Sequence, residues 1–160
     1  MECIADDVLT SVSIDVLEKH AFLFPEREEG TPPSPCVPDP MLARVRFSGS
    51  VSGEFVMCIP SELAGSIAAD ILGTDPGSED AAALVADSVG ELANVLCGNV
   101  LKASQYKEQI FDLAAPEVSA ATEEIWKNLS SDSQTIELSS DEHRLLVHLR
   151  FRNDPFSKDS

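Results

Sequence analysis

Leu42-Ala43-Arg44-Val45-Arg46-Phe47, then Ser48-Gly49-Ser50-Val51-Ser52-Gly53, then Glu54-Phe55-Val56-Met57-Cys58-Ile59 is the stretch on which the fold turns. Its first six residues alternate apolar and polar with the period of two that sends successive side chains to opposite faces of a strand. The residues from Gly49 to Gly53 supply a turn and the last six carry the strand pattern on, so the stretch predicts a β-hairpin. A second hairpin closes the chain. Residues 133–138 form its first strand and residues 139–142 its turn, and in residues 144–150 Leu145, Val147 and Leu149 alternate with Leu146, His148 and Arg150, with Phe151 beyond. Strands joined by hairpins, apart from the helices in sequence, predict an α+β fold: an antiparallel sheet packed against long helices in two layers.

Outward from the first hairpin, Pro60 and Ser61 open a helix that Gly73 stops, with Ser61 as the expected N-cap. Leu63, Ala64, Ile67, Ala68, Ile71 and Leu72 give it one apolar face. After a turn at Thr74-Asp75-Pro76-Gly77, helical periodicity predicts the longest helix over residues 79–105, with Glu79 and Asp80 in its first turn, where the helix dipole favours negative charge. Residues 1–24 read as an amphipathic helix carrying Ile4, Val8, Leu9, Val12, Val16 and Leu17. Residues 25–40 hold six prolines and read as a connecting loop, kept solvated by acidic residues among positions 26–29. Residues 109–113 read as a short strand and residues 121–129, with the sole tryptophan Trp126, as a short helix or irregular segment. The whole chain, residues 1–160, is expected to form one domain with its core in residues 41–153.

With 28 acidic against 11 basic residues the formal charge is -17, which repels phosphate backbones and anionic membrane surfaces. Nucleic acid and membrane are therefore excluded as expected partners. The hydrophobic content of 43% is too high for a disordered acidic chain. No apolar run approaches the roughly 20 residues of a membrane span, and the N-terminus lacks a secretory pattern, so a cytoplasmic location is expected. Cys3, Cys36, Cys58 and Cys97 make no C-x-x-C pair and read as free thiols. His20, His143 and His148 form no metal-spaced cluster, so no metal site is expected.

The long helix is where composition departs from what a helix needs. With steps of about 100 degrees per residue from Asp87, the residues Glu91, Asn94 and Gly98 all fall within about 40 degrees of it. Val85, Val89, Leu92, Ala93, Leu96, Val100 and Ala103 gather on the opposite side. Asn competes for backbone hydrogen bonds and Gly costs roughly 1 kcal/mol relative to Ala in a helix. A solvated face would ordinarily account for a Glu and an Asn, but here Glu91 and Asn94 lie one turn apart and project together. A carboxamide can orient a water, and a carboxylate can pair with a cation on a partner.

Asp87, three residues, Glu91, two residues, Asn94, then Pro116 some twenty residues on, after a glycine-bearing hairpin, resembles the signature of the CheC/CheX/FliY chemotaxis phosphatases. The resemblance covers roughly residues 42–151. Glu62 is followed three positions later by Gly65, and Glu124 by Lys127, so there is one signature copy, as in the CheX subgroup. The resemblance implies a CheX-like two-layer fold and a phosphatase acting on the phospho-aspartate of a CheY-like response regulator. It gives Asn94 the attacking water and Glu91 the regulator's lysine; Asp87 and Gly98 support or border the contact, and Pro116 has a structural role. It also implies a homodimer associated through its sheets, with residues 144–150 as an edge strand, no cofactor of its own, and Mg2+ carried by the regulator. The competing expectation is a noncatalytic adaptor that binds a regulator or a flagellar-switch component.

Overall fold

Alternation in the first hairpin resolves into two long strands, β2 (Pro40–Ser48) and β3 (Ser52–Pro60), paired antiparallel with Val45 opposite Phe55 and Phe47 opposite Gly53. The computed structural model describes residues 6–21, 23–27, 35–49, 51–73, 84–104, 108–140 and 143–152. Ahead of β2 come helix α1 (Asp6–Ala21) and the two-residue strand β1 (Glu26–Arg27); after β3 come helices α2 (Ser61–Leu72) and α3 (Val85–Ala103). Strands β4 (Asp112–Leu113) and β5 (Glu117–Ala120), helix α4 (Glu123–Ser130) and strands β6 (Thr135–Ser140) and β7 (His143–Arg152) complete the described chain. The predicted turn at residues 74–77, the start of the long helix before Leu84 and its end at residue 105 lie outside the described residues.

Seven strands form one antiparallel sheet in the order β1-β6-β7-β3-β2-β4, with β5 also pairing β2. Strand β7 is therefore interior, between β6 and β3, and not the edge strand that the sequence was expected to place at residues 144–150. The reason is its length and its two apolar faces. Leu145, Val147 and Leu149 join the main core, while Leu146 enters a second one. Gly53 also sits inside β3 and not in the turn, and a Cβ there would collide with the Arg150 carbonyl oxygen of β7.

Helices α1, α2 and α3 cover the sheet face that carries Ala43, Val45, Phe47, Phe55, Met57 and Ile59. This is the antiparallel sheet against long helices that the hairpins predict. The opposite face is partly covered: Trp126 of α4, fully buried, packs with Val37, Leu42, Val56, Cys58 and Leu146. The Thr122 hydroxyl caps α4 by accepting a hydrogen bond from the Ile125 amide at 3.1 Å. Farther along that face Arg44 and Arg152 approach Glu54, and Arg150 meets Asp132 at 2.6 Å.

Two local expectations change. Ser61 is the first helical residue of α2 and not its cap; Pro60 occupies the cap position, and the Ser61 hydroxyl donates to the Asp39 carbonyl at 2.8 Å. Gly73 ends the helix with φ 71, a left-handed conformation that glycine adopts without steric cost. The described parts of the proline-rich region, residues 25–27 and 35–40, are also more tied down than a solvated loop. The proline-free pair Glu26 and Arg27 joins β6, Val37 is buried, and Arg144 donates to the Pro35 carbonyl at 2.8 Å. Cys36, Cys58 and Cys97 are free thiols, and burial raises the last two to pKa values of about 12.

His148 is 3% exposed, with Nδ1 2.9 Å from the Thr135 hydroxyl. Burial lowers its pKa below the ordinary histidine value; Asp132 and Glu54 pull it back up and Arg150 pushes it down. As pH falls, the unfolded chain takes up this proton first, so the contribution of neutral His148 is lost as pH drops through about 6.5 toward the folded pKa. Thermal unfolding between about pH 7.5 and pH 5 should show a Tm that declines with acidity, and His148→Gln should flatten that decline. Parallel curves for the two proteins would rule out His148 as the group responsible.

Candidate functional site

Helix α3 owes its orientation to its apolar side: Val89, Leu92, Ala93, Leu96 and Val100 are buried in the main core. Burying each such side chain contributes about 1.5–3 kcal/mol for the larger ones, so the helix cannot roll. Asp87 and Glu91 are consequently exposed, and Asn94 and Gly98 are half-buried. The four residues predicted to share a stripe do share it. Ala103, expected on the apolar face, is exposed at the helix end.

Two asparagines of α3 use their side chains differently. Asn99 spends its amide on the helix, donating to the Val95 carbonyl at 2.8 Å. Asn94 does not. Its Oδ1 is buried and has no hydrogen-bond partner among the described residues, a state that costs a folded protein about 1–3 kcal/mol. Glu91 makes no ion pair with any described residue, so both groups of the pair are uncommitted among the described residues.

What flanks the stripe differs on its two sides. A cavity of about 300 Å³ borders one side, lined by His20, Ile71, Leu84, Leu92 and Val95 together with Asp87 and Glu91. Ile71, expected in the buried face of α2, is instead 43% exposed on this cavity. On the other side residues 113–118 lie over the helix: a Cβ at Gly90 would stand 3.2 Å from Pro116 Cγ and 3.3 Å from Val118 Cγ2. At Gly98 the nearest atom is Leu113 Cδ2 at 4.0 Å. The close approach to the helix therefore falls at Gly90, and Gly98 is left more open. Pro116 lies against the helix at Gly90, beside the stripe. Gly90 was missed, although the helix cost that singled out Gly98 applies to it equally.

Among the described residues no group of three His, Cys, Asp or Glu side chains is placed to hold a metal ion, and no helix is long and apolar enough to cross a membrane. The site can offer a carboxylate and a carboxamide to a partner, and neither is a nucleophile with an activating base beside it.

Residues 41–139 match the family described as chemotaxis phosphatase CheX. The chain belongs to the CheX family. The match spans the first hairpin, α2, α3 with its stripe, and the strands as far as β6. Solved structures agree at the level of the fold. A CheX from Borrelia burgdorferi, solved in a complex with CheY, BeF3 and Mg2+, superposes with a TM-score of 0.66 at 19% identity, covering 92% of this chain and 97% of that one. CheX from Vibrio vulnificus gives a TM-score of 0.68 at 18% identity, with 95% and 100% covered. FliY from Thermotoga maritima gives 0.56 at 13% identity, with 88% and 83% covered. No curated protein sequence matches the chain.

If the Asn94 carboxamide is kept for a partner, removing it should not harm the fold. Asn94→Ala should be at least as stable as the unaltered protein and up to about 1 kcal/mol more so, from helix propensity and loss of the orphaned acceptor. Urea unfolding midpoints measure this. A loss above about 1 kcal/mol would mean that the side chain is structural.

Proposed function

We propose that the protein is a phosphatase for the phospho-aspartate of a CheY-like response regulator, with Asn94 and Glu91 as its working residues. The observation that carries the reading is the uncommitted pair itself: an exposed carboxylate and a half-buried carboxamide whose oxygen has no partner, on a helix held rigid by its core face. CheX-family membership supports the reaction class. The Borrelia burgdorferi CheX bound to CheY supports the partner.

On docking, Glu91 pairs with the regulator's lysine. The cavity beside it suits this contact, because an apolar wall edged by Asp87 and Glu91 is a surface along which a lysine stem lies while its ammonium reaches a carboxylate. Asn94 holds a water in line with the phosphorus. The water oxygen attacks phosphorus, the bond from phosphorus to the aspartyl oxygen breaks, and the products are inorganic phosphate and the free carboxylate. The phosphoryl group and its Mg2+ belong to the regulator, so the chain contributes position and charge to a reaction dominated by both. Asp87 borders the contact, and Gly98 leaves room for the regulator's backbone. A homodimer associated through the sheet would use β1 on one side or β4 and β5 on the other, since β7 is interior.

The test is the decay of a CheY-like regulator phosphorylated with acetyl phosphate. The unaltered protein should accelerate decay, and Asn94→Ala should lower the turnover rate by roughly a hundredfold. Glu91→Ala should raise KM about tenfold or more with a smaller effect on kcat, as expected for loss of a charge-assisted contact. Decay no faster than that of the regulator alone, with binding retained, would make the protein the noncatalytic adaptor instead.

A further inference from the structure

We infer that Gly90 is a positioning residue for Asn94, acting through Pro116; this rests on the phosphatase reading above. Gly90, Asn94 and Gly98 stand at i, i+4 and i+8, one ridge of the helix surface. Of these three positions only 94 carries a side chain, with a glycine one turn to each side of it. Residues 113–118 run antiparallel to α3 across it, with Pro116 and Val118 over Gly90 and Leu113 near Gly98.

That segment has little freedom to yield. The Ala114 amide donates to the Arg46 carbonyl at 2.8 Å, Leu113 pairs with Phe47, and Val118 pairs with Ala43. Just before it, Phe111 packs edge-on against Phe47 at 5.6 Å. The wall is anchored to β2, and a side chain at position 90 could be accommodated only by a shift of a few tenths of an ångström. With glycine there, Pro116 seats against the helix backbone and its ring fills the space that a side chain would occupy.

Asn94 shows the consequence. Its neighbours on the stripe, Asp87 and Glu91, are exposed, yet its Oδ1 is buried without a partner. No hydrogen bond within the described chain fixes the carboxamide, so packing must. A helical side chain leans toward the N-terminus, so Asn94 lies over the turn that holds Gly90, and the wall seated there restricts its rotamers. A Cβ at position 90 would stand 3.2–3.3 Å from Pro116, pushing the wall out by a few tenths of an ångström and freeing the side chain that holds the water. A catalytic group displaced by that order of distance loses rate and not affinity.

Two single variants and their combination test this. Gly90→Ala adds a methyl under the wall, and Pro116→Ala removes the ring from above it. Each alone should disturb Asn94, and together they exchange volume across one contact and should restore it. Two readouts are used. In the protein alone, the Asn94 side-chain NH2 signal in a 15N–1H spectrum, assigned by its loss in Asn94→Ala, should shift or broaden in each single variant and return in the double. In regulator decay, each single variant should lower kcat about tenfold or more with KM, and affinity for the BeF3-loaded regulator, within about twofold; the double should recover most of the loss. A purely structural glycine would lower thermal stability and leave the Asn94 signal and the kcat of the folded fraction unmoved. That result overturns the inference. Should Gly90→Ala fail to fold, Pro116→Ala decides: an unmoved Asn94 signal overturns it and a shifted one supports it. If Asn94→Ala leaves decay unaltered, the phosphatase reading falls, and the signal in the protein alone still decides whether Gly90 and Pro116 hold Asn94.

Discussion

Pairing along both edges of β2 is the constraint on which the site depends. One edge holds β3 and, through it, the rest of the sheet; the other holds β4 and β5, the strands within and beside the wall over α3. The inward face of the same strand supplies Ala43, Val45 and Phe47 to the core beneath the helices. One strand therefore sets the depth at which α3 sits and the height of the wall beside its polar stripe. A residue such as Phe47 does both jobs at once, packing edge-on against Phe111 from the wall side and Phe151 of β7 from the other.

Electrostatics explain why the stripe is exposed without being satisfied. A chain of net charge -17 that places two of its carboxylates, Asp87 and Glu91, at the rim of one cavity has built a surface that attracts a cation. Within the chain neither carboxylate is neutralised by a described residue. On the far face of the sheet, by contrast, Arg44, Arg150 and Arg152 are matched by Glu54 and Asp132. Acidic groups with a structural duty have arginines nearby; those on the stripe do not.

Much of this was legible in the sequence, for reasons that differ by element. The hairpins and α3 could be read because each has one buried face, and burial writes a period into the sequence. The stripe could be read because Asn and Gly are costly in a helix interior, and the Glu91 and Asn94 spacing resembled a family signature. The interior place of β7 could not, since Leu146 and His148 on its second face read as a solvent-facing alternation until Trp126 covers part of that face. Strand β5 was not foreseen either: Glu117-Val118-Ser119-Ala120 is mostly exposed, and only its pairing with β2 makes it a strand. Gly90 was missed for the same reason, because its partner Pro116 is distant in sequence and the contact exists only once β5 has docked.

On the proposed function, the difference in burial between Glu91 and Asn94 matches the role each is given. Glu91 is exposed, on a side chain with three rotatable bonds, and an exposed ion pair contributes only about 0–1 kcal/mol. The contact gains strength only as the partner covers it and lowers the local dielectric, so it rewards a complete interface over a chance encounter. Asn94 is short, half-buried and walled by a segment pinned to the sheet, and such a group gives little affinity but a fixed direction. A longer amide at position 94 would regain reach at the expense of rotamer order. The helix thus separates recognition from orientation by less than one turn, with solvent on the side of Glu91 and a rigid wall on the side of Asn94.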